Sequence, residues 1–459
     1  MYTVTNPATG QVVAEHPTAS DVEITEAVAR ADCAAAALRA TELSQRTAVL
    51  SRIAELHVEH RDRLAAIATQ EMGKPIVQAC FEVDIVASIY RYYAEHSATH
   101  LADEWLDVVA GGTALVRKEA LGALLGIMPW NFPYYQVARF AAPNLAIGNT
   151  ILLKHAPQCP ESALAQAGLI RQALAEHGLP EDAYVNVFAT NEQVSTMIAD
   201  PRVRGVSLTG SERAGAAVAS QAGAHLKPVV LELGGSDPFM LLDTVDLDTV
   251  VERAVFGRMI NGGQACNASK RFLVMDGLYE QFSEKFTDAM RAISPADPAE
   301  QDTFLGPLSS EAAVEALDAQ VRRAVEQGAT VLTGGKRVDA PGAYYEPTVL
   351  ADITPDMDVF GQELFGPVAV LHRVTDEEHL VELANGTPFG LGSSIHTDDE
   401  ERALRLADRI EAGMVFINEP GGTAAELPFG GTKRSGFGRE LGKRGLTAFV
   451  NEKLIRVAP

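Results

Sequence analysis

At 459 residues the chain is longer than one hydrophobic core organises, so two or three domains are expected. The composition is that of a folded protein, 47% hydrophobic and 22% charged, and a formal charge of −23 argues against nucleic-acid binding driven by Lys and Arg on phosphates. Four cysteines without regular spacing give neither a disulfide framework nor a zinc pattern, and nothing in the sequence calls for a metal.

Met1 to Pro7 lacks the basic segment and apolar core of a signal peptide, and the longest apolar run, Ala120 to Met128, is far short of a membrane span. A cytoplasmic protein with no membrane partner is expected. Ser20-Asp21-Val22-Glu23 reads as a capping box opening a helix towards Ala40. One helix is expected from Ser44 until Gly73 and Pro75 stop it, and another over about Val77 to His100. Residues 106 to 118 read as strand without a following helix, an arm rather than part of a repeat. From there short apolar runs alternate with helices: Ala123 to Met128, Thr150 to Leu153, Tyr184 to Phe188, Gly205 to Leu208 and Val229 to Leu233. That rhythm predicts a parallel, doubly wound α/β sheet. A second α/β series follows Asp237, with the boundary near Gly234-Gly235. Its strands are expected at Arg271 to Met275, Thr330 to Leu332, Val368 to Val374, Ser393 to Thr397 and Met414 to Asn418. The tail Phe449 to Ile455 is a strand with no obvious neighbour in that domain, and with 106 to 118 it could dock on another subunit.

Asn261-Gly262-Gly263-Gln264-Ala265-Cys266-Asn267-Ala268 carries one thiol among small and amide residues, too little apolar bulk to bury it as packing. Glu232 ends an apolar run upstream, before Gly234 and Gly235. A thiol becomes a useful nucleophile when a base takes its proton or its pKa falls, and a carboxylate brought close could be that base. The alternative for each is a buried structural cysteine and a surface glutamate. No GxGxxG follows any strand. Instead Leu208-Thr209-Gly210-Ser211 opens a helix whose first N–H groups could meet a phosphate. Pro129-Trp130-Asn131-Phe132-Pro133 follows a strand, and Lys154 ends the next one, at the sheet edge where cofactors bind.

With Glu363-Leu364-Phe365-Gly366-Pro367 and Pro428-Phe429-Gly430-Gly431-Thr432-Lys433 added, these motifs in this order resemble the aldehyde dehydrogenase superfamily along essentially the whole chain. LLKHAP, LELGGSDP and LPFGGTKRSGFGR are most similar to the succinate-semialdehyde dehydrogenases of bacteria. The resemblance implies a Rossmann-like cofactor domain (1–105 and 123–234), an α/β catalytic domain (235–427) and a β-strand oligomerisation arm with the C-terminal tail (106–122 and 428–459). It also implies a homodimer or homotetramer. Cys266 would attack the aldehyde, Asn131 and the Cys266 N–H would hold the oxyanion, and Glu232 would activate the deacylating water. Lys154, Glu363 and Phe365 would hold the adenosine ribose, the nicotinamide ribose and the ring. Trp130, Thr209, Gly210, Ser211 and Leu233 would line the same NAD or NADP site. Where NAD-preferring relatives often place a glutamate, three residues after Lys154, this chain has Pro157. Two like charges about 4 Å apart at an effective dielectric near 20 repel by roughly 4 kcal/mol, so losing that carboxylate favours NADP. Arg139 falls where a guanidinium would suit an ω-carboxylate tail, with Tyr135 and Thr423 beside the substrate. The chain departs from the pattern at Ile260, where some relatives carry a second arginine, at Thr423-Ala424, where a serine is frequent, and at Ala268, which leaves no second thiol. Rival readings are a cofactor-independent cysteine esterase or amidase using Cys266 and Glu232, and a non-catalytic scaffold with the same fold.

Overall fold

Apolar runs bounded by helices bury both faces of a strand, and such strands pair in parallel with crossover helices on either side. The computed structural model, which describes every residue from Met1 to Pro459, contains two such sheets. The first has six strands in the order Gly436–Phe437, Val229–Glu232, Val203–Thr209, Ala123–Met128, Thr150–His155 and Tyr184–Asn186. All run parallel except the short edge strand Gly436–Phe437. Thr150–His155 is buried at every position, which explains its unbroken apolar character up to Lys154.

The chain leaves this sheet after Glu232 and enters the second at Asp237, across Gly234-Gly235. The second sheet orders seven strands as Thr330–Thr333, Thr348–Ala351, Val368–Val374, Ser269–Met275, Asp237–Leu241, Ser394–His396 and Phe416–Ile417. A third sheet is the arm: Val450–Val457 pairs antiparallel with Thr113–Ala120, which pairs with Glu104–Leu106. The tail strand thus pairs with the segment that the sequence put forward for it.

Two expectations need correction. The segment Ser44 to Gly73 is two helices, Leu43–Glu59 and Arg61–Met72, broken at His60 (φ −107°, ψ 15°). Residues 428 to 449 do not belong to the arm. Gly436–Phe437 closes the edge of the six-stranded sheet beside Val229–Glu232, and the helix Gly442–Thr447 packs on the helix Tyr135–Ile147. The capping box at Ser20 forms as read, and Gly73 at φ 77° stops its helix in the left-handed conformation that glycine adopts without a Cβ penalty.

Candidate active site

The nucleophile loop begins with three consecutive left-handed residues, Asn261 (φ 52°), Gly262 (φ 61°) and Gly263 (φ 75°). Asn261 tolerates that conformation better than most residues with a side chain. Its amide bridges two backbones, donating to Asn131 O at 2.8 Å and to Gln264 O at 3.3 Å, while its N–H goes to Gln78 Oε1 at 2.7 Å. Gln264 closes the turn through its own side chain, donating to Asn261 O and accepting from Ser309 N–H. Gly263 must be glycine on grounds of space as well, because a Cβ there would lie 2.2 Å from Gly366 O. The sharp turn delivers Cys266 half-buried at the junction of the two sheets.

Asn131 reaches the same loop. Its Nδ2 donates to Gln264 O at 3.0 Å, and since an amide carries two N–H groups, one stays available for a developing oxyanion. The Asn131 segment is anchored from behind by Glu82. One oxygen of this carboxylate accepts from the N–H groups of Tyr134 (2.8 Å) and Tyr135 (3.0 Å), which no side chain caps locally. Its other oxygen pairs with the fully buried Lys74, whose Nζ lies 3.7 Å above the Phe132 ring. Hydrogen bonds from charged acceptors contribute on the order of 1.5–3 kcal/mol, so this pairing fixes the loop firmly.

The Glu232 motif meets the cysteine motif directly: a Cβ on Gly235 would stand 2.7 Å from Cys266 O. Glu232 is buried, and neither of its carboxylate oxygens has a hydrogen-bond partner. Its Oε1 lies against Gly430, whose φ of 148° and missing side chain leave the space. Burial pushes its pKa well up, and the neighbouring Glu440 pushes the same way, while Arg139 and Arg439 oppose. A carboxylate with raised proton affinity is the stronger base towards water. Burial also pushes the Cys266 thiol up to about 12, against the pull of Arg139 and Lys270.

Arg139, expected at the substrate tail, sits in a buried network. It is fully buried, with Nε 2.8 Å from Glu440 Oε2 in a contact of charges rather than an aligned hydrogen bond. NH2 donates to Gln136 Oε1 at 2.5 Å and to Thr209 Oγ1 at 3.4 Å, and the guanidinium lies over the rings of Phe429 (4.4 Å) and Tyr135 (4.9 Å). Its charge is partly offset by Glu440, while NH1 has no hydrogen-bond partner. Thr209, expected at the phosphates, takes part in this network as well. Tyr135 and Thr423 do come together, with their hydroxyls 2.6 Å apart, and the Thr423 loop is tied to the nucleophile loop by Asn267 Nδ2 on Gly422 O (3.3 Å).

Several of the residues expected around a dinucleotide make local contacts. Trp130 and Phe365 stand edge to face at 5.7 Å. Ser211 caps the helix Glu212–Ala224, accepting from Ala214 N–H, and Gly210 N–H donates to Glu232 O. Leu233 packs against Gly215 of that helix. Glu363 folds over the Gly234-Gly235 turn and accepts from Gly235 N–H at 3.1 Å. Lys154 is 8% exposed, and burial lowers its pKa with no carboxylate working against it. An unpaired ammonium at the carboxyl end of a parallel strand fits an anionic ligand.

The sequence and the fold have counterparts. Residues 1–455 match the aldehyde dehydrogenase family. The chain belongs to the aldehyde dehydrogenase family. Among its relatives, the succinate-semialdehyde dehydrogenase [NADP(+)] of Deinococcus radiodurans is 50% identical over 458 residues, covering 100% of this chain and 95% of that protein. The corresponding protein 1 of Mycobacterium tuberculosis is 44% identical, with 99% of each chain covered. The crystal structure of succinic semialdehyde dehydrogenase from Streptococcus pyogenes with NADP+ superposes with a TM-score of 0.97 at 40% identity, covering 100% of both chains. An NAD(P)-dependent oxidoreductase acting on aldehydes is therefore the enzyme class, and the rival reading of a cofactor-free hydrolase falls away.

Sequence reasoning missed Glu440, Asn261 and Lys270. Glu440 directly follows the GFGR motif, and the signal was a lone carboxylate beside an arginine-rich stretch. Lys270 and Arg271 are adjacent cations at the start of a strand buried on both faces, so each had to find an internal partner.

Proposed function

We propose that this chain oxidises succinic semialdehyde to succinate with NADP+ as the hydride acceptor. The reading is carried by one observation: the Asn131 amide bonded to the loop of Cys266, with Glu232 buried at the adjoining turn. Cys266 Sγ bonds to the aldehyde carbon, and its proton passes to solvent, directly or relayed by Glu232, which is left ionised. The oxygen that gains charge is met by the free Asn131 N–H and the Cys266 backbone N–H. NADP+, when bound, accepts the hydride that leaves this carbon, and the carbon is left as a thioester on Cys266. Glu232 then takes a proton from the attacking water, the C–S bond breaks, and the thiol is restored.

For the cofactor, Glu363 and Phe365 are the residues for the nicotinamide end, and Lys154 beside Pro157 is the cation for a 2′-phosphate. The identities of the relatives support the same choice. For the tail, the paired hydroxyls of Tyr135 and Thr423 spend one O–H on each other and keep one free for a carboxylate oxygen. Arg139 lies one layer beneath, its charge tempered by Glu440. The exposed Trp105, Leu454 and Val457 on the arm support a homo-oligomer. All four cysteines are free, in keeping with a reducing cytoplasm, and no helix is long and apolar enough to cross a membrane.

The test is kcat/KM for succinic semialdehyde and for butanal, with each cofactor, in wild type and Tyr135→Phe. Losing one hydroxyl donor to a carboxylate, worth on the order of 1.5–3 kcal/mol, should lower kcat/KM for the semialdehyde about ten- to hundredfold and leave butanal nearly unchanged. A wild type that prefers butanal would overturn the substrate, and a strong preference for NAD+ would overturn the cofactor.

A further inference from the structure

The side chain of Lys270 is 1% exposed, and nothing in the chemistry above uses it. Its ammonium donates to three carbonyls of the nucleophile loop, Cys266 O at 2.7 Å, Ala265 O at 3.0 Å and Ala268 O at 3.3 Å. A fourth acceptor, Glu363 Oε1, stands 3.4 Å away. Three N–H bonds thus face four oxygens, and every carbonyl among them lies on or within two residues of Cys266. The same Glu363 oxygen accepts from Gly235 N–H, and its other oxygen would meet any Cβ on Gly234 at 2.4 Å. One side chain therefore touches both the loop that carries the nucleophile and the carboxylate assigned to the nicotinamide ribose.

The left-handed run Asn261 to Gly263 explains how the loop enters this position but not what holds its far side. Ala265 to Ala268 makes only the Ala268 N–H to Ala265 O turn bond within itself; Asn267 Nδ2 reaches out to Gly422 O, and Lys270 holds the loop carbonyls. Burying an ammonium is costly unless it is well compensated, and three carbonyl dipoles with one carboxylate provide that compensation.

We propose that Lys270 is a positioning residue for the aldehyde oxidation, clamping the Cys266 loop and holding Glu363 against Gly235 with one ammonium. This rests on the roles given to Cys266 and Glu363 above. The charged groups around it are few. Arg139 from the helix Tyr135–Ile147, Glu232 at the end of its strand, and Glu363 face the thiol together with Lys270. Arg258 from the helix Leu247–Met259, Asp237 from the neighbouring strand, and Glu363 face the ammonium. Replacing Lys270 by a neutral residue removes one of the two cations near Cys266, so the thiolate becomes harder to form. A ribose that draws Glu363 away would leave the ammonium to the loop carbonyls alone.

The experiment follows alkylation of Cys266 by iodoacetamide against pH, read by mass on the peptide containing Cys266, in the cofactor-free protein. Lys270→Met should move the half-rate point up by about one pH unit. It should lower kcat at least about tenfold while the NADP+ dissociation constant changes less than about threefold. Lys270→Arg keeps the charge and should keep the alkylation profile close to wild type, while kcat stays reduced because a guanidinium cannot converge on three carbonyls. If the methionine variant does not fold, Lys270→Gln takes its place with the same readout. An unchanged alkylation profile in the neutral variant, or a loss of kcat matched by loss of folded protein, overturns the inference. Cys266→Ser separates the two readings. A serine variant that still turns over sinks the assignment of the nucleophile itself, whereas a dead serine variant with an unmoved Lys270→Met profile sinks only the clamp.

Discussion

Two buried cations act on Cys266, and they are held in different ways. Arg139 lies between two aromatic rings with a carboxylate, Glu440, at 2.8 Å, so its charge is largely cancelled where it sits. Lys270 is held first by three backbone carbonyls, with its carboxylate farther off at 3.4 Å and shared with Gly235 N–H. Both favour the thiolate, yet burial still leaves the thiol at about 12, so neither makes the resting cysteine reactive alone. Arg139 nevertheless pulls on the thiol more strongly than Lys270 does, so the two cations differ in how they are held and not in which one the thiol feels. Sequence spacing puts Lys270 close to Cys266 and leaves Arg139 far from it, and only the folded partners show how each cation is held.

The comparison breaks first at Glu232, which belongs to the Arg139 side. Glu232→Gln should leave a burst of about one equivalent of NADPH per site and then slow turnover about 10²–10⁴-fold, measured by stopped flow at 340 nm. Steady-state rates equal to wild type would move the base elsewhere.

On the same side, Glu440→Gln leaves the Arg139 charge buried without its partner. Removing one member of such a pair costs about 3–5 kcal/mol, and the double variant Arg139→Met/Glu440→Gln should recover most of that in urea unfolding. On the Lys270 side, Glu363→Gln should cost much less, because the carbonyls remain. Equal losses for Glu440→Gln and Glu363→Gln would erase the distinction between the two cations.

The smallest effect is set by pH. Burial pushes the Asp237 carboxyl, a neighbour of Lys270, up to about 6, despite the opposing pull of that ammonium. A carboxyl whose folded pKa is raised favours the folded state below its unfolded value near 3.8, and that contribution is lost as pH climbs through about 6. The shift corresponds to roughly 3 kcal/mol between those limits. Asp237→Asn should flatten this part of the stability curve and match or exceed wild type at pH 8. A variant less stable than wild type at pH 8 would mean that the ionised carboxylate is favoured by its surroundings.

Much of this was legible in the chain. Cys266, Glu232 and Asn131 stand in segments whose glycines and amides leave them little other purpose, and the strand runs of the first sheet are short, apolar and bounded by turns. The break at His60 was not legible, because the apolar spacing continues through it. The strand Asp237–Leu241 was hidden behind the Gly-Gly turn and Pro238, although it lies inside the second sheet. The pairing of Arg139 with Glu440 was not legible either, because the two are far apart in sequence and no local pattern announces a contact between distant buried charges.

The late return of the chain to the first sheet has a consequence for biosynthesis. The strand that ends in Glu232 stays an open edge until Gly436–Phe437 arrives, and Ser435 Oγ then seals Gly234 O across 201 positions of sequence. Asn149 waits still longer, its amide reaching Phe449 O across 300 positions. While the ribosome works through the second α/β series, the nascent first half carries an unpaired apolar strand edge, the kind of surface that seeds misassociation between chains. Arrival of Gly436 to Phe449 therefore completes the first sheet and closes its most vulnerable edge together, and a chain terminated before Gly436 would be exposed to aggregation as well as inactive.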